Sequence, residues 1–149
     1  MSEHNATIHW HRESPDFKYE NYNRDHDWEF DGGMKIRASA APAYLGSPAC
    51  VDPEEAFIAS VSSCHMLTFL AIAARKQYIV EDYRDEAVGV LEKDASGRLA
   101  ITRATLQPQV KFGGEKIPSP EELAHLHEQA HHACFIASSV KTEITVKAS

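Results

Sequence analysis

The chain begins with short stretches in which polar and apolar residues alternate. One covers Ala6–Trp10, and two more, Trp28–Phe30 and Met34–Ala38, lie on either side of Asp31-Gly-Gly33. A period of two predicts strands with one buried face, and Asp-Gly supplies the positive backbone angles of a two-residue hairpin turn. Residues 6–38 therefore predict three strands, with the second and third joined as a hairpin.

Alternation returns in the second half of the chain. Tyr83–Leu91 and Leu99–Phe112 are strand-like and are joined across Asp94–Gly97, a sequence typical of a hairpin turn. Thr142–Val146 alternates again and predicts a closing strand.

Two stretches carry a helix-start signal. Asp52-Pro-Glu-Glu55 combines an aspartate N-cap, a proline at the first helical position and a glutamate that completes a capping box. The residues that follow are apolar on nearly every face as far as Ala74, which predicts a central helix packed on all sides. Ser119-Pro-Glu-Glu122 repeats the motif and opens a second helix, in which Cys134 faces inward near the end.

The predicted order is strands, a long helix, strands, a helix and a strand. This order indicates an α+β fold in which a helix is buried against a sheet. No repeat or linker interrupts residues 1–149, so a single domain is predicted. The apolar run Ala56–Ala74 is about as long as a membrane span, but serines, His65 and Thr68 interrupt it, which favours a core helix.

Composition narrows the function classes. The net charge is -7 and lysines and arginines do not cluster, which argues against nucleic acid or an anionic membrane as a partner. The three cysteines, an odd number, do not resemble the disulfide framework of a small secreted protein. The first residues, Met-Ser-Glu-His-Asn, lack a basic region followed by an apolar core, so a cytoplasmic protein without a signal peptide is expected.

The candidate chemistry lies in Cys64 and Cys134, each in an apolar stretch that follows a helix-start signal. Two thiols brought together in a reducing compartment can perform two-electron redox chemistry. A thiol attacks only as thiolate, and a free cysteine with a pKa of about 8.5 is mostly protonated, so an activator is required. His65 adjoins Cys64, but neighbours on a helix point about 100° apart, which makes it a poor activator.

A better activator is Arg37, on the strand before the long helix, because a guanidinium stays charged at any working pH. Glu54 is suited to orient it, because Glu55 serves the capping box. Ten helical residues, or about 15 Å, separate Glu54 from Cys64. Either Arg37 spans part of that gap, or a second subunit brings its own Glu54 close. The second option predicts a homodimer, which an all-round apolar helix in so short a chain also favours.

Taken together, these features resemble the OsmC/Ohr family of organic hydroperoxide reductases over roughly residues 28–146. The resemblance rests on Pro53-Glu-Glu55, a cysteine ten residues after Glu54, an arginine on the preceding strand, and a late second cysteine before a final strand. It implies an antiparallel-rich sheet wrapped around a long central helix, and an intertwined homodimer with its sites at the interface.

The resemblance also implies roles for individual residues. Cys64 corresponds to the peroxidatic thiol, Cys134 to the resolving thiol, Arg37 to the activator and Glu54 to the residue that orients it. The implied substrate is an organic hydroperoxide, which is reduced to an alcohol, and the implied reductant is a dithiol or a lipoylated protein. No metal or organic cofactor is implied.

The sequence departs from the family pattern in two places. Many members have a proline after the second cysteine, whereas phenylalanine follows Cys134 here. An insertion, Ala38–Val51, lengthens the link between Arg37 and the helix, which leaves Arg24 as the alternative activator. Cys50, in a loop after a proline, is interpreted as an inert thiol.

Three other functions are open to this sequence. Cys64 with a histidine from elsewhere can form a Cys/His hydrolase, although that leaves Cys134 without a role. A non-catalytic dimeric binding protein can hold an apolar ligand in a pocket lined by aromatic residues, here Trp10, Phe17, Tyr19, Tyr22 and Trp28. His127 and His131, four apart on a helix, have a usable metal-ligand spacing but no acidic partner at the expected distance.

Overall fold

The computed structural model describes all residues from Met1 to Ser149, which form two compact units, residues 1–56 and 57–149. In chain order the elements are β1 Ala6–His9, β2 His26–Phe30, β3 Lys35–Ala38, α1 Pro53–Arg75, β4 Ile79–Asp85, β5 Val88–Lys93, β6 Leu99–Leu106, β7 Pro108–Gly113, α2 Pro120–Ala133 and β8 Glu143–Val146. These helices and mostly antiparallel strands confirm the predicted α+β class. The single domain expected for residues 1–149 stays a prediction.

The first unit contains an antiparallel sheet in the order β1-β2-β3. The predicted hairpin between β2 and β3 is confirmed, with its turn at residues 31–33, but this loop has three residues and not the two of an Asp-Gly turn. The Phe30 N–H donates to the carbonyl of Met34 at 3.0 Å, and the Gly33 N–H donates to the carbonyl of Phe30 at 2.8 Å. Gly33 has a φ of 84°, so it supplies the left-handed residue that closes a three-residue hairpin loop.

The insertion after β3 folds back on itself. It contains a 3-10 helix at Pro42–Tyr44, and the Ser39 N–H donates to the carbonyl of Val51 at 2.9 Å. Ala38 and Val51 form an isolated parallel bridge. The longer link therefore keeps the end of β3 beside the residues that start α1.

The predicted capping box at the start of α1 is confirmed. The Glu55 N–H donates to Asp52 Oδ1 at 2.8 Å, and the Asp52 N–H donates to Glu55 Oε2 at 3.3 Å. Two N–H groups at the helix start are thereby satisfied reciprocally. Glu54 takes no part in the cap, as predicted.

A single chain covers one face of α1, so the packing of this helix on all sides stays a prediction for the homodimer. The buried residues of α1 are Val61, His65, Phe69 and Ala73, which recur every fourth residue and so lie on one face. Leu67, on another face, is 61% exposed. The helix has 23 residues and is apolar enough that length and composition alone would allow it to cross a membrane. Core helices often meet the same criterion, which makes it weak evidence.

The second unit contains two sheets, β4-β7 and β5-β6-β8, in which β6 and β8 are parallel. Each of the two long strand-like stretches predicted here divides into two strands that enter different sheets. The breaks fall near Glu86 and Gln107, and side chains hold them together: the Gln107 N–H donates to Asp85 at 2.6 Å, and the Gln107 amide donates to the carbonyl of Glu86 at 2.8 Å.

The core of this unit lies where α1 and α2 meet the β4-β7 pair. Its buried members are Phe69, Ala73, Tyr78, Leu126 and Ala130. The helix α2 begins as predicted, with the Glu122 N–H donating to Ser119 Oγ at 3.1 Å, and it ends at Cys134, which is its C-cap. The packing of α1 on α2 therefore determines where the two predicted redox cysteines lie.

Candidate active site

The second unit brings Cys64 and Cys134 into contact. Cys64 lies on α1 and is partly exposed, whereas Cys134 ends α2 and is 1% exposed. Both are free thiols, and their side chains are hydrogen-bonded to each other. A thiol can therefore meet a sulfur oxidised on the neighbouring residue without a large rearrangement.

The surroundings of Cys64 favour its thiolate. Burial raises the pKa of Cys64, but four hydrogen-bond donors together outweigh it and hold the pKa below that of a free cysteine. The donors are the Cys134 thiol, the backbone N–H groups of Ile136 and Phe135, and the Thr68 hydroxyl. The Thr68 hydroxyl also donates to the Cys64 carbonyl at 2.8 Å, and its single proton serves one acceptor at a time. The thiol and the two amides are therefore the steady donors.

Cys134 shifts in the opposite direction. Burial raises its pKa, and so does the hydrogen bond that its thiol donates to Cys64. Together these two effects outweigh the nearby amides, which lower the pKa. The Ala137 N–H lies 3.5 Å from the Cys134 sulfur. The two opposite shifts indicate that Cys64 loses its proton before Cys134, whose thiol then donates a hydrogen bond to the Cys64 sulfur.

The amides that face the two sulfurs belong to the turn that follows α2. Cys134 is extended, with φ -71° and ψ 120°, and a 3-10 helix follows at Ala137–Ser139. The N–H groups at the start of a helix have no intrahelical partner and are free to bind a negative charge. The sequence analysis missed these donors. One signal in the sequence was available. The residue after Cys134 is a phenylalanine, which has a backbone N–H to donate, whereas a proline there would have none.

Arg37 does not pair with Glu54 in this chain. Its guanidinium donates to Asp27 at 3.1 Å and to Glu13 at 3.5 Å, and it lowers the pKa of Asp27. The reason is strand pairing: Asp27 on β2 lies directly opposite Arg37 on β3, where opposite charges attract. Glu54 has one buried carboxylate oxygen without a hydrogen-bond partner.

Arg24, the alternative activator, is held differently. Its guanidinium lies 3.6 Å from the centre of the Tyr22 ring and donates to the carbonyls of Tyr22 and Tyr19 at 2.6 and 2.5 Å. It also lines an open, largely apolar cavity of about 360 Å³ in the first unit, together with Trp10, Phe17 and Tyr22. No carboxylate pairs with Arg24, so its charge is less neutralised than that of Arg37.

His65, the histidine next to Cys64 in the sequence, is not free to activate its thiol. His65 is 1% exposed, and its Nε2 lies 3.0 Å from Nδ1 of His127, so this bond occupies the imidazole next to Cys64. The structure assembles no group of three or more histidine, cysteine, aspartate or glutamate side chains that could hold a metal ion. Cys50, in the first unit, is a free and partly exposed thiol.

Two helices of an α+β fold bring a cysteine of lowered pKa against a second thiol, and such a pair is chemically capable of redox chemistry. The family follows from comparison: the model of the OsmC-like protein family matches residues 46–149, and this chain belongs to that family. Arg37 and Arg24 lie outside the matched region. No curated protein sequence matches the chain.

Solved structures agree with this assignment. An OsmC-like protein of unknown function from Vibrio cholerae is 49% identical, with both chains covered completely and a TM-score of 0.96. An organic hydroperoxide resistance protein OsmC from Legionella pneumophila has 17% identity and a TM-score of 0.73, with 100% of this chain and 96% of that chain covered. The organic hydroperoxide resistance protein OhrB of Bacillus subtilis has 18% identity and a TM-score of 0.71, with 99% and 98% covered. The last two likenesses show the fold alone.

Proposed function

We propose that this chain is a thiol-dependent peroxidase that reduces organic hydroperoxides to alcohols. The observation that carries the proposal is the hydrogen-bonded pair of Cys64 and Cys134, in which the pKa of one thiol is lowered and that of the other is raised. An enzyme of this type needs one thiolate that attacks the hydroperoxide and a second thiol that reacts afterwards with the sulfenic acid. Relatives named for organic hydroperoxide resistance support the choice of substrate.

The proposed reaction has two steps. The Cys64 thiolate attacks the distal oxygen of the hydroperoxide, the O–O bond breaks, and the alkoxide leaves and takes a proton from water to give the alcohol. Cys64 is now a sulfenic acid, oxidised by two electrons. The Cys134 sulfur then attacks the Cys64 sulfur, and the hydroxyl leaves as water with the thiol proton. One hydroperoxide and two thiols thus give one alcohol, one water and one disulfide.

Regeneration of the thiols needs an external reductant. A dithiol, such as the dihydrolipoyl group of a lipoylated protein, can exchange with the Cys64–Cys134 disulfide and take over its oxidised state. The reaction uses no metal or organic cofactor. We also propose that the protein acts as a homodimer in the cytoplasm.

Within this chain, the N–H groups of Phe135 and Ile136 are the proposed source of thiolate stabilisation at Cys64. Arg37, oriented by Glu54, remains the activator that the family resemblance implies. For that role Arg37 would have to exchange Asp27 and Glu13 for Glu54, whose buried carboxylate oxygen is unpaired. Arg24 needs no such exchange of ion pairs.

A thiol count tests the proposed function. One equivalent of cumene hydroperoxide should consume two of the three thiols, release cumyl alcohol, and leave Cys50 free. The Cys50→Ser variant is the matched control and should form the same alcohol and the same disulfide. Survival of all thiols after an equivalent of peroxide would contradict the proposal, and so would a stable acyl group on Cys64, which would indicate a hydrolase instead.

One observation favours a second candidate, a binding protein for an apolar ligand. The cavity of about 360 Å³ in the first unit is lined by Trp10, Phe17 and Tyr22, three of the five aromatic residues predicted for such a pocket. Tyr19 and Trp28 do not line it. Titration with an aliphatic alcohol, followed by Trp10 fluorescence in the wild type and in Phe17→Ala, tests this candidate. The hydrolase has less support, because no imidazole is hydrogen-bonded to Cys64.

A further inference from the structure

A second polar pair in the second unit has no part in the proposed chemistry. His65 on α1 and His127 on α2 are 1% and 3% exposed. Nε2 of His65 lies 3.0 Å from Nδ1 of His127, and the two rings meet edge to edge with centres 5.3 Å apart and planes 5° apart. This is a direct side-chain hydrogen bond between the two helices that carry the cysteines.

Stability does not account for this pair. The outer ring nitrogens, Nδ1 of His65 and Nε2 of His127, are buried and have no hydrogen-bond partner. An unpaired polar atom in a core is destabilising, whereas a pair of apolar side chains of similar shape would fill the same space without that cost. The buried hydrogen bond therefore has a role that apolar packing could not fill. It differs from packing in having a preferred direction and a narrow range of length, so it can fix the relative position of the two helices.

The position of the pair shows what such a bond can fix. His65 follows Cys64 directly on α1, and Cys134 ends α2 seven residues, about two turns, after His127. Phe69 stacks on His127 with ring centres 4.3 Å apart, but apolar rings tolerate sliding. The hydrogen bond does not, because it is lost beyond about 3.5 Å. Disulfide formation has similarly narrow limits, with Cβ atoms about 3.5–4.5 Å apart.

We propose that the His65–His127 hydrogen bond fixes the position of α1 against α2 and thereby holds Cys64 within disulfide reach of Cys134. His65 and His127 are then positioning residues, which touch neither the substrate nor the reacting sulfurs. The inference rests on the proposed function in using the same thiol pair, but it concerns the geometry of the pair and not the identity of the oxidant.

The bond requires at least one neutral ring, because one of the two facing nitrogens must accept. Two neutral imidazoles share one N–H, so one ring donates and the other accepts, whereas two imidazolium rings would face each other with two N–H groups. The ionisable groups around the pair are His131 on α2, which disfavours a proton on His65, and Asp85 on β4, which favours one. Tyr83 on β4 also packs near His127, and burial raises the pKa of its hydroxyl, which keeps it uncharged.

The test replaces the bond by apolar contact and measures the thiol pair without any hydroperoxide. The disulfide of His65→Phe/His127→Phe is equilibrated with reduced and oxidised dithiothreitol under anaerobic conditions, which gives the effective concentration of one thiol at the other. We expect this concentration to fall at least tenfold while the melting temperature stays at or above that of the wild type. Failure of the protein to reduce hydroperoxides would leave this measurement intact and would concern the proposed function alone.

Two further variants separate positioning from packing. His65→Gln/His127→Asn places amide groups where the bonded nitrogens lie and should restore the effective concentration to within about threefold of the wild type. Phe69→Leu weakens the packing on His127 but leaves the bond, so it should lower the melting temperature and leave the effective concentration unchanged.

The remaining outcomes decide against the proposal. An effective concentration within twofold of the wild type in the Phe/Phe variant, or in a smaller His65→Leu/His127→Leu variant, shows that packing alone positions the thiols. If neither apolar pair folds while the Gln/Asn pair does, the bond is needed for the fold as a whole, and a specific positioning role is refuted as well.

Discussion

Two polar pairs connect the same two helices through neighbouring residues of α1, yet their environments favour opposite charge states. The Cys64–Cys134 pair faces backbone N–H groups, which stabilise negative charge, and the pKa of Cys64 is lowered. The His65–His127 pair is almost fully buried, its outer nitrogens have no partner, and burial lowers the pKa of each histidine to about 4. The comparison shows that nearby free amides and the access of water determine whether a pair that joins these two helices is charged.

The largest effect is expected when the thiol pair is broken. Cys64→Ser should lose all turnover of hydroperoxide, because no other sulfur of this site is held as a thiolate. Cys134→Ser should react once and then stop as a Cys64 sulfenic acid that is sensitive to further oxidation. Mass spectrometry of the treated variants checks both results. A sulfenic acid trapped on Cys134 in the Cys64→Ser variant would reverse the assigned roles.

Because of the histidine pair, the free energy of unfolding should fall as the pH is lowered. The pKa of each histidine is lowered from 6.5 to about 4 in the folded state, so between these values the unfolded chain binds protons that the folded chain does not. Stability therefore falls as the pH is lowered through this range, by up to about 1.4 kcal/mol per pH unit for each histidine. Urea unfolding at several pH values between 7 and 4 measures the slope.

The control for this slope is His65→Phe/His127→Phe. Every carboxylate that titrates in acid is still present in that variant, so the difference between the two slopes belongs to the two histidines. Equal slopes would mean that the folded state accepts protons on His65 or His127 after all.

A smaller effect is expected from removing one amide donor. Phe135→Pro deletes an N–H that faces Cys64, and a hydrogen bond to a charged group contributes about 1.5–3 kcal/mol, so the pKa of Cys64 should rise by about one unit or more. Cys134 has a ψ of 120°, which a residue before proline adopts readily. The rate of alkylation of Cys64 as a function of pH gives the pKa.

Phe135→Ala is the matched control for the proline variant. The Phe135 side chain is 83% exposed, so its removal should leave the alkylation profile unchanged. A profile that shifts equally in both variants would assign the effect to the side chain and not to the amide.

The smallest effect is expected at the arginines. Arg37 already faces Asp27 and Glu13, so Arg37→Ala should slow peroxide reduction by about threefold or less unless Arg37 changes partners in the active protein. Glu54→Ala should then give a milder form of the same defect. Arg24→Ala is the matched comparison. A loss larger than tenfold in the Arg37 variant, partly rescued at high pH, would show that Arg37 changes partners and acts as the activator.

Local signals in the sequence predicted a large part of the fold. The starts of both α-helices follow from Asp52 and Ser119, because capping depends on residues within one turn. The inward position of Cys134 follows from helical spacing for the same reason. The contact of Cys64 with Cys134 required tertiary structure, and only the resemblance to a family indicated it before the structure did.

The features that sequence reasoning missed depend on partners distant in the chain. The pairing of Arg37 with Asp27 is fixed by strand register, which places two residues ten apart in the chain opposite each other. Two of the donors to Cys64 are main-chain groups, which residue identity does not reveal except where a proline would remove them. The one-sided burial of α1 depends on what lies beside it, and its hydrophobic pattern is the same on exposed and buried faces.

We expect the oxidation state of the site to change the hydrogen exchange of backbone amides in the turn after Cys134. In the reduced protein, the Phe135 and Ile136 amides have the Cys64 sulfur as acceptor and favour its thiolate form. A disulfide is neutral and a poor acceptor, so oxidation leaves these protons less protected from water. Hydrogen exchange at the end of α2 should therefore be faster in the oxidised protein than in the reduced one, although a covalent crosslink has been added. The crosslink would tie the two helices together and at the same time loosen the turn between Cys134 and Ala137.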